Sequence, residues 1–134
     1  MPKLLVDTSA LLALALDDDR HHPAALRFAR QHLSSRFVLT ELILAEFATR
    51  ARSRLGADRT AALARNFLDS RRYDIVFVDG DLLRAALALL ERFADKRLSL
   101  TDCASFELMD RLGLPAAFTF DRDFRDCGYQ MLPE

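Results

Sequence analysis

The sequence is poor in the residues on which several common protein classes depend. Its 134 residues include four glycines, and none is spaced as GxxxxGK or GxGxxG, which excludes the familiar glycine-rich phosphate loops. Its two cysteines, Cys103 and Cys127, have neither a metal-ligand spacing nor an evident histidine partner for nucleophilic catalysis. Two scattered cysteines build no disulfide framework, so we expect a protein of the reducing cytoplasm.

Long hydrophobic runs are also absent. The apolar stretch 10–16 is far shorter than the roughly 20 residues that a membrane-spanning helix needs. Asp7 precedes this stretch and three aspartates follow it, which is unlike a signal peptide. The net charge of −1 excludes a polycation, so any binding to nucleic acid has to use local basic patches. We expect no membrane partner and a cytoplasmic location.

The residues that are present suffice for one domain with a hydrophobic core. Hydrophobic residues make up 51% of the chain and charged residues of both signs 29%, a balance typical of globular proteins. A chain of this length buries roughly two-thirds of its unfolded surface without disulfides or metals. No internal repeat, low-complexity tract or linker divides the sequence. We therefore predict a single domain over residues 1–134.

Predicted strands alternate with predicted helices along the whole chain. The strands are short apolar or β-branched runs, at 3–6, 36–39, 73–78, 116–120 and 129–132. The helices follow capping residues and are predicted at 10–16, 23–33, 41–55 after Thr40, 58–70 after the cap Asp58, 79–93 and 99–112. This alternation predicts an α/β fold, a three-layer α/β/α sandwich around a mainly parallel sheet of four to five strands. We place five phenylalanines in the core: Phe28, Phe47, Phe67, Phe77 and Phe106.

Several carboxylates lie where a strand or helix begins or ends. Asp7 directly follows the first strand, and Asp121 follows the strand at 116–120 in the same way. A parallel sheet gathers such ends into one crevice, where neighbouring carboxylates repel each other unless a hard cation such as Mg²⁺ or Mn²⁺ binds them. Helical residues add further acids to this set. We predict a catalytic metal site of Asp7, Glu46, Asp102 and Asp121, with Asp123 as a weaker metal ligand.

Three of these acids also have a structural interpretation. Asp7 could cap the following helix, although Thr8 or Ser9 could do so equally. Asp102 would complete a capping box with Ser99, a role that is compatible with catalysis. The segment from Asp121 to Asp123 also has the composition of a polar turn.

Glu46 has the weakest structural interpretation of the set. It lies in the middle of a helix, where Leu42 and Ile43 place it on an apolar stripe. An unpaired carboxylate is costly in such a place. The alternative is an ion pair with Arg50, four residues along the helix, worth about 0.3–0.5 kcal/mol if exposed.

The other charged groups have ordinary interpretations. Glu41 lies in a first helical turn and complements the helix dipole. The aspartates 17–19 with His21 and His22 are interpreted as a solvated loop rather than a transition-metal site, and Asp126 as a solvated loop charge. Three arginines, at 50, 52 and 54, either stabilise a helix C-terminus, which is slightly favoured, or form a phosphate-contacting patch.

Four segments together resemble the PIN-domain proteins, in particular the VapC-type toxins of bacterial toxin–antitoxin pairs. Residues 5–14 (LVDTSALLAL) are similar to the opening of the family, and residues 40–47 (TELILAEF) to its second motif, whose essential acid falls on Glu46. Residues 98–105 (LSLTDCAS) and 119–124 (TFDRDF) are similar to the third and fourth motifs. The resemblance covers the whole chain in the expected order.

The resemblance implies a compact α/β/α fold and RNA cleavage with Mg²⁺ or Mn²⁺ held by these acids. It also implies a homodimer and a cognate antitoxin that occupies the active site. Asp121 and Asp123 could share or divide the fourth acidic role. Ser9 or Thr8 could donate a hydrogen bond to a ligating carboxylate.

Our hypothesis is therefore a metal-dependent endoribonuclease, the toxin of a type II toxin–antitoxin system. One alternative is a phosphatase with Asp7 as nucleophile, which would need a second acid two residues on, where the chain has Ser9. The other alternative is a non-catalytic partner-binding module whose acids only cap helices.

Overall fold

A computed structural model describes residues 2–134. The elements in chain order are β1 (Lys3–Val6), α1 (Thr8–Ala15), α2 (His22–Gln31), β2 (Arg36–Thr40), α3 (Glu41–Leu55), α4 (Ala57–Asp69), β3 (Tyr73–Val76), α5 (Gly80–Arg92), α6 (Leu100–Leu112), β4 (Ala116–Phe118), α7 (Asp123–Asp126) and β5 (Gln130–Leu132). No helix within this part of the chain is long and apolar enough to span a membrane.

The five strands form one sheet in the order β3-β2-β1-β4-β5, and every neighbouring pair is parallel. Strand β1 lies in the centre, with Leu5 opposite Val38 of β2 on one side and Ala117 of β4 on the other. The chain proceeds outward from β1 to β3 and then returns to β4 on the far side of β1. The carboxyl ends of β1 and β4 therefore diverge into a crevice, the usual place for a ligand in this type of sheet.

The sheet is buried because its central strands lack polar alternation. Leu5, Phe37 and Phe118 are completely inaccessible to solvent, as expected of strands covered on both faces. Among the helices, α1 contacts α2 and α3, α3 contacts α4, and α5 packs against α6. The predicted α/β fold with a central parallel sheet is confirmed.

The aromatic core agrees with the prediction at four positions and differs at one. Phe28, Phe47, Phe67 and Phe106 are buried, whereas Phe77 is 65% exposed. Strand β3 lies at the edge of the sheet and ends at Val76. Phe77 therefore lies beyond the part of the strand that the helices cover, and its prediction as a core residue was wrong.

The other differences concern the ends of elements. The cap of α4 is Gly56, with φ +81°, and not the predicted Asp58, which lies in the first turn. There the Asp58 carboxylate still complements the helix dipole. Strand β4 ends two residues before the predicted Phe120, and the four-residue helix α7 occupies part of the predicted polar loop. Elements this short carry too little periodic pattern to be predicted from sequence.

Candidate metal-dependent active site

The crevice at the carboxyl ends of β1 and β4 holds a cavity of about 250 Å³. All five carboxylates predicted for the site line it: Asp7, Glu46, Asp102, Asp121 and Asp123. They come from the end of β1, the middle of α3, the first turn of α6 and the segment after β4. The fold thus brings together residues that are up to 116 positions apart in the sequence.

Asp7 is nearly buried and is held by three hydrogen bonds to one of its carboxylate oxygens. Its Oδ2 accepts from the Ser9 hydroxyl at 3.0 Å, from the Thr119 hydroxyl at 3.0 Å and from the Ser9 amide at 3.4 Å. Asp7 is therefore the N-cap of α1, as its structural interpretation predicted, and Thr8 and Ser9 are not. All three of these hydrogen bonds reach Asp7 Oδ2.

Asp102 and Asp121 are held in the same manner, each by one oxygen. The predicted capping box is present: the Ser99 amide donates to Asp102 Oδ2 at 3.1 Å, and the Asp102 amide donates to the Ser99 hydroxyl at 3.0 Å. The Asp123 amide donates to Asp121 Oδ1 at 2.9 Å. Within the described residues the second oxygen of each carboxylate accepts no hydrogen bond. Capping therefore orients these acids while leaving an oxygen available to a ligand.

Three of the acids lie close enough together to share one ion. Asp102, Asp121 and Asp123 each offer an oxygen, and these oxygens lie within 4.8 Å of one another. Asp7 and Glu46 line the same cavity but are not part of this closest group. The sequence ranked Asp123 below Asp121, whereas the structure brings both to Asp102.

The proximity of the acids changes their titration. Burial, and next the charge of Asp102, raise the pKa of Asp7 from 3.8 to about 6, against the hydrogen bonds from Ser9 and Thr119. Burial also raises the pKa of Asp102, with smaller contributions from Asp121 and Glu46, and the Ser99 hydrogen bonds oppose it. Burial likewise raises the pKa of Asp123, helped by Asp121 and Asp126. Without a cation the site therefore holds its negative charge at a cost.

Glu46 is open to the cavity from the middle of α3. The predicted alternative is also present, since Arg50 lies 3.4 Å from Glu46 in an i,i+4 ion pair. The Glu46 side chain is 29% exposed, so this pair is a weak one. Glu41 plays no part in the site: its carboxylate accepts the Val78 amide at 2.8 Å, tying α3 to the segment after β3.

Of the other charged groups that the sequence singled out, only Arg50 lines the cavity. The loop aspartates 17–19 lie outside the cavity, and Asp18 pairs with Arg54. Among the three clustered arginines only Arg50 lines the cavity. The proposed patch at 50, 52 and 54 is therefore not a single surface at this site.

Three residues of the site were missed or misjudged from the sequence. Thr119 holds Asp7 and also accepts the Asp121 amide at 3.0 Å. A threonine two residues before Asp121 was a usable signal, because alternate residues of an extended segment share one side. Thr8 lines the cavity, and its hydroxyl is buried and has no hydrogen-bond partner in the described chain. Arg97 also lines the cavity, and no sequence pattern indicated it.

The sequence profile of the PIN domain matches residues 4–128. The chain belongs to the PIN domain family. Among curated proteins, none matches it. The agreement between the profile and the four motifs confirms the family predicted from residues 5–14, 40–47, 98–105 and 119–124.

Solved structures of VapC-type PIN proteins have the same fold. VapC20 of Mycobacterium tuberculosis, a toxin that cleaves the sarcin–ricin loop, matches with a TM-score of 0.88 and 28% identity, over 94% of this chain and 95% of that one. The DNA-bound VapBC of Salmonella typhimurium matches with a TM-score of 0.65 and 17% identity, over 98% and 97% of the two chains. VapBC2 of Rickettsia felis, bound to a promoter fragment, matches with a TM-score of 0.65 and 10% identity, over 96% of each chain. These matches confirm the resemblance to VapC-type PIN proteins, the latter two for the fold alone.

Proposed function

We propose that this PIN-domain protein is a metal-dependent endoribonuclease and the toxin of a type II toxin–antitoxin pair. The observation that carries the proposal is the convergence of five carboxylates in one cavity, three of them oriented by hydrogen bonds from neighbouring residues. The family match and the similarity to an RNA-cleaving toxin support the choice of RNA as substrate.

The residues of the cavity suit Mg²⁺ or Mn²⁺. Hard divalent cations take carboxylate and hydroxyl oxygens, which eight of the ten residues that line the cavity supply. We assign Asp7, Glu46, Asp102 and Asp121 as the catalytic acids that hold the ion directly or through water, with Asp123 as a further, weaker ligand close to Asp102 and Asp121. The buried Thr8 hydroxyl, which lacks a partner among residues 2–134, fits the same environment.

The chain's own residues prepare this site for the reaction. When bound, the ion would polarise the scissile phosphate and lower the pKa of an attacking water. Ser9 and Thr119 hold the Asp7 carboxylate in one orientation, and Ser99 does the same for Asp102. These donors fix the orientation of the acids before the substrate arrives. Binding and reaction therefore require less reorganisation of the site.

The two alternatives are less well supported by the geometry. A phosphatase would need an acid two residues after Asp7, but Ser9 occupies that position and its hydroxyl bonds Asp7 and the Phe120 amide. A module whose acids only cap helices would leave Glu46 without a role in the cavity, since it caps nothing. It would also not require a buried Asp7 beside Asp102, an arrangement in which burial and then the charge of Asp102 raise the pKa of Asp7.

The partners we propose are an RNA substrate, a cognate antitoxin and a second copy of the chain. One matched structure is named a toxin–antitoxin complex, and two others are named VapBC and VapBC2. A toxin that cleaves RNA acts where its RNA and its antitoxin are, so we propose the cytoplasm as its location.

The proposed activity is tested by RNA cleavage with the purified full-length protein. We expect cleavage of a sarcin–ricin hairpin or of total RNA with Mn²⁺ or Mg²⁺, and its loss on adding excess EDTA. Asp7→Asn should abolish cleavage, while the matched control Asp58→Asn, an exposed acid outside the cavity, should cleave as the wild type does. Full activity of a correctly folded Asp7→Asn protein would refute the mechanism.

A further inference from the structure

Arg97 is a positively charged residue of the acidic cavity whose side chain has no hydrogen-bond or ion-pair partner among residues 2–134. Arg97 lines the cavity together with the carboxylates, yet its guanidinium makes no hydrogen bond or ion pair with any residue in the range 2–134. It is exposed to solvent. A guanidinium offers five donors in a planar fork and is always charged, so five donors remain available here.

Arg50, the other arginine that lines the cavity, has an ion-pair partner. Its guanidinium lies 3.4 Å from Glu46, so part of its charge is already neutralised. An arginine with a purely structural role would be expected to pair with a nearby acid as Arg50 does. Arg97 lies beside five acids and pairs with none of them.

The backbone around Arg97 is anchored on both sides. Leu98 is 7% exposed and belongs to the hydrophobic core, and Ser99 caps α6 through two hydrogen bonds with Asp102. On the other side, the Lys96 amide donates to the Phe93 carbonyl at 2.9 Å, which closes a turn after α5. The backbone of Arg97 therefore stays beside Asp102, while its long side chain is free to reach into the cavity.

The cavity needs such a cation for an anionic substrate. Five carboxylates face two guanidinium groups, and a phosphodiester entering this site meets an excess of negative charge. We propose that Arg97 is a substrate-binding residue whose guanidinium contacts a phosphate of the RNA at this cavity, an inference that rests on the proposed nuclease function. The fork matches two phosphate oxygens, as arginine commonly does in nucleic-acid complexes.

This role predicts a specific change in the salt dependence of binding. Binding of a fluorescently labelled sarcin–ricin RNA hairpin is measured by anisotropy over a salt series, in an Asp7→Asn background that does not cleave. Losing one phosphate contact reduces the slope of log Kd against log salt by about 0.7–0.9, and we expect Arg97→Ala to weaken binding about five- to tenfold at low salt. Arg97→Lys should keep the slope, because the charge remains, and lose part of the affinity.

The matched control is Arg65→Ala, which removes an exposed arginine of α4 that does not line the cavity. It should leave both Kd and slope unchanged. Mn²⁺ binding, followed by thermal shift, should be retained in Arg97→Ala, since the substitution removes no carboxylate. If Arg97→Ala does not fold, Arg97→Gln, which is neutral and longer, takes its place.

An unchanged slope and affinity in Arg97→Ala overturns the inference, and so does an equal change in Arg65→Ala. The proposed function is judged separately, on the wild type. RNA binding without cleavage by the wild type would refute the nuclease and leave Arg97 as a phosphate contact. Cleavage and binding unchanged by Arg97→Ala would refute the Arg97 inference alone.

Discussion

At the residue scale, Asp7 combines a structural role with a functional one at the expense of stability. It caps α1 and anchors the end of β1 to β4, since its amide donates to the Phe118 carbonyl at 3.1 Å. A neutral side chain could accept the same hydrogen bonds. The charge, however, is buried beside Asp102, and this burial, followed by the charge of Asp102, raises the pKa of Asp7 to about 6. Stability alone therefore favours a neutral residue at this position.

We predict that Asp7→Asn stabilises the fold at neutral pH. The folded pKa of about 6 lies above the ordinary aspartate value of 3.8, so between these values the folded state binds more protons than the unfolded state. The contribution of Asp7 to stability falls as pH rises through this window, and its full cost applies above it. Urea unfolding near pH 7.5 should show Asp7→Asn more stable by about 1–3 kcal/mol.

The pH dependence is the control for this prediction. The difference between Asp7→Asn and wild type should shrink as pH is lowered from about 7 towards about 4, because Asp7 becomes protonated in both states. Asp58→Asn, at an exposed position, should change stability by less than about 0.5 kcal/mol at either pH. A wild type more stable than Asp7→Asn near neutral pH, without added metal, would contradict the buried-charge account.

At the element scale, the first turn of α6 serves both the helix and the site. The capping box satisfies the free amides of the helix start and fixes Asp102 at the cavity. The start of α5 has a similar cap, but this cap does not position a residue of the site. The Leu82 amide donates to Asp79 Oδ1 at 2.8 Å, and Asp79 lies outside the cavity. The two caps form a natural comparison.

We predict that Ser99→Ala lowers activity more than its effect on stability explains. Loss of the cap should cost about 1 kcal/mol. The Ser99 hydroxyl accepts the Asp102 amide, so its loss loosens the first turn of α6 that positions Asp102 and should lower kcat/KM for RNA about tenfold or more, as is usual when a group that orients a metal ligand is removed. Urea unfolding and a cleavage assay at saturating Mn²⁺ measure the two effects.

The matched control for the cap is Asp79→Ala, which should lose a similar amount of stability and keep its activity. Ser99→Thr preserves a hydroxyl at the cap and should retain most of the activity. Equal losses of activity in Ser99→Ala and Asp79→Ala would show that the effect is global destabilisation and not the position of Asp102.

At the scale of the whole molecule, one apolar helix surface is not covered by any other part of residues 2–134. Leu83, Leu87 and Leu90 of α5 are 37%, 42% and 37% exposed and recur at intervals of four and three residues, so they form one apolar stripe. Arg84 and Glu91 flank it near opposite ends of the helix. An antiparallel second copy would bring each arginine towards the partner's acid. We expect the proposed homodimer to use this surface.

We predict that Leu87→Glu converts the dimer to a monomer. A charge at the centre of the stripe would be desolvated by the second copy without a partner, which costs several kcal/mol in a buried interface. In the monomer the residue is exposed, so folding should change little. Light scattering after size-exclusion chromatography measures the mass.

Leu68→Glu is the control for the interface, since Leu68 is 49% exposed on α4, outside this stripe. It should leave the oligomeric state unchanged. A dimer that persists in Leu87→Glu would place the interface on another surface.

Local patterns explain why so much of the fold was predictable. Apolar runs such as residues 3–6 specify buried strands, and Thr40, Asp79 and Ser99 each accept an amide hydrogen bond as helix caps at or beside the predicted boundaries. The prediction that Phe77 lies in the core was wrong because local patterns do not determine its environment. Its surroundings depend on which strand lies at the sheet edge, and an edge position is a property of the assembled sheet.

The sequence by itself determined the alternation of strands and helices, the positions of the acids at element ends, and the motifs of the PIN family, because propensity, capping and spacing act over a few residues. Only the tertiary structure decided that Asp102, Asp121 and Asp123 lie together, that Thr119 holds Asp7, and that Arg97 faces the acids unpaired. These relations join residues far apart in the chain, and they depend on the strand order and crossover, which local interactions do not encode.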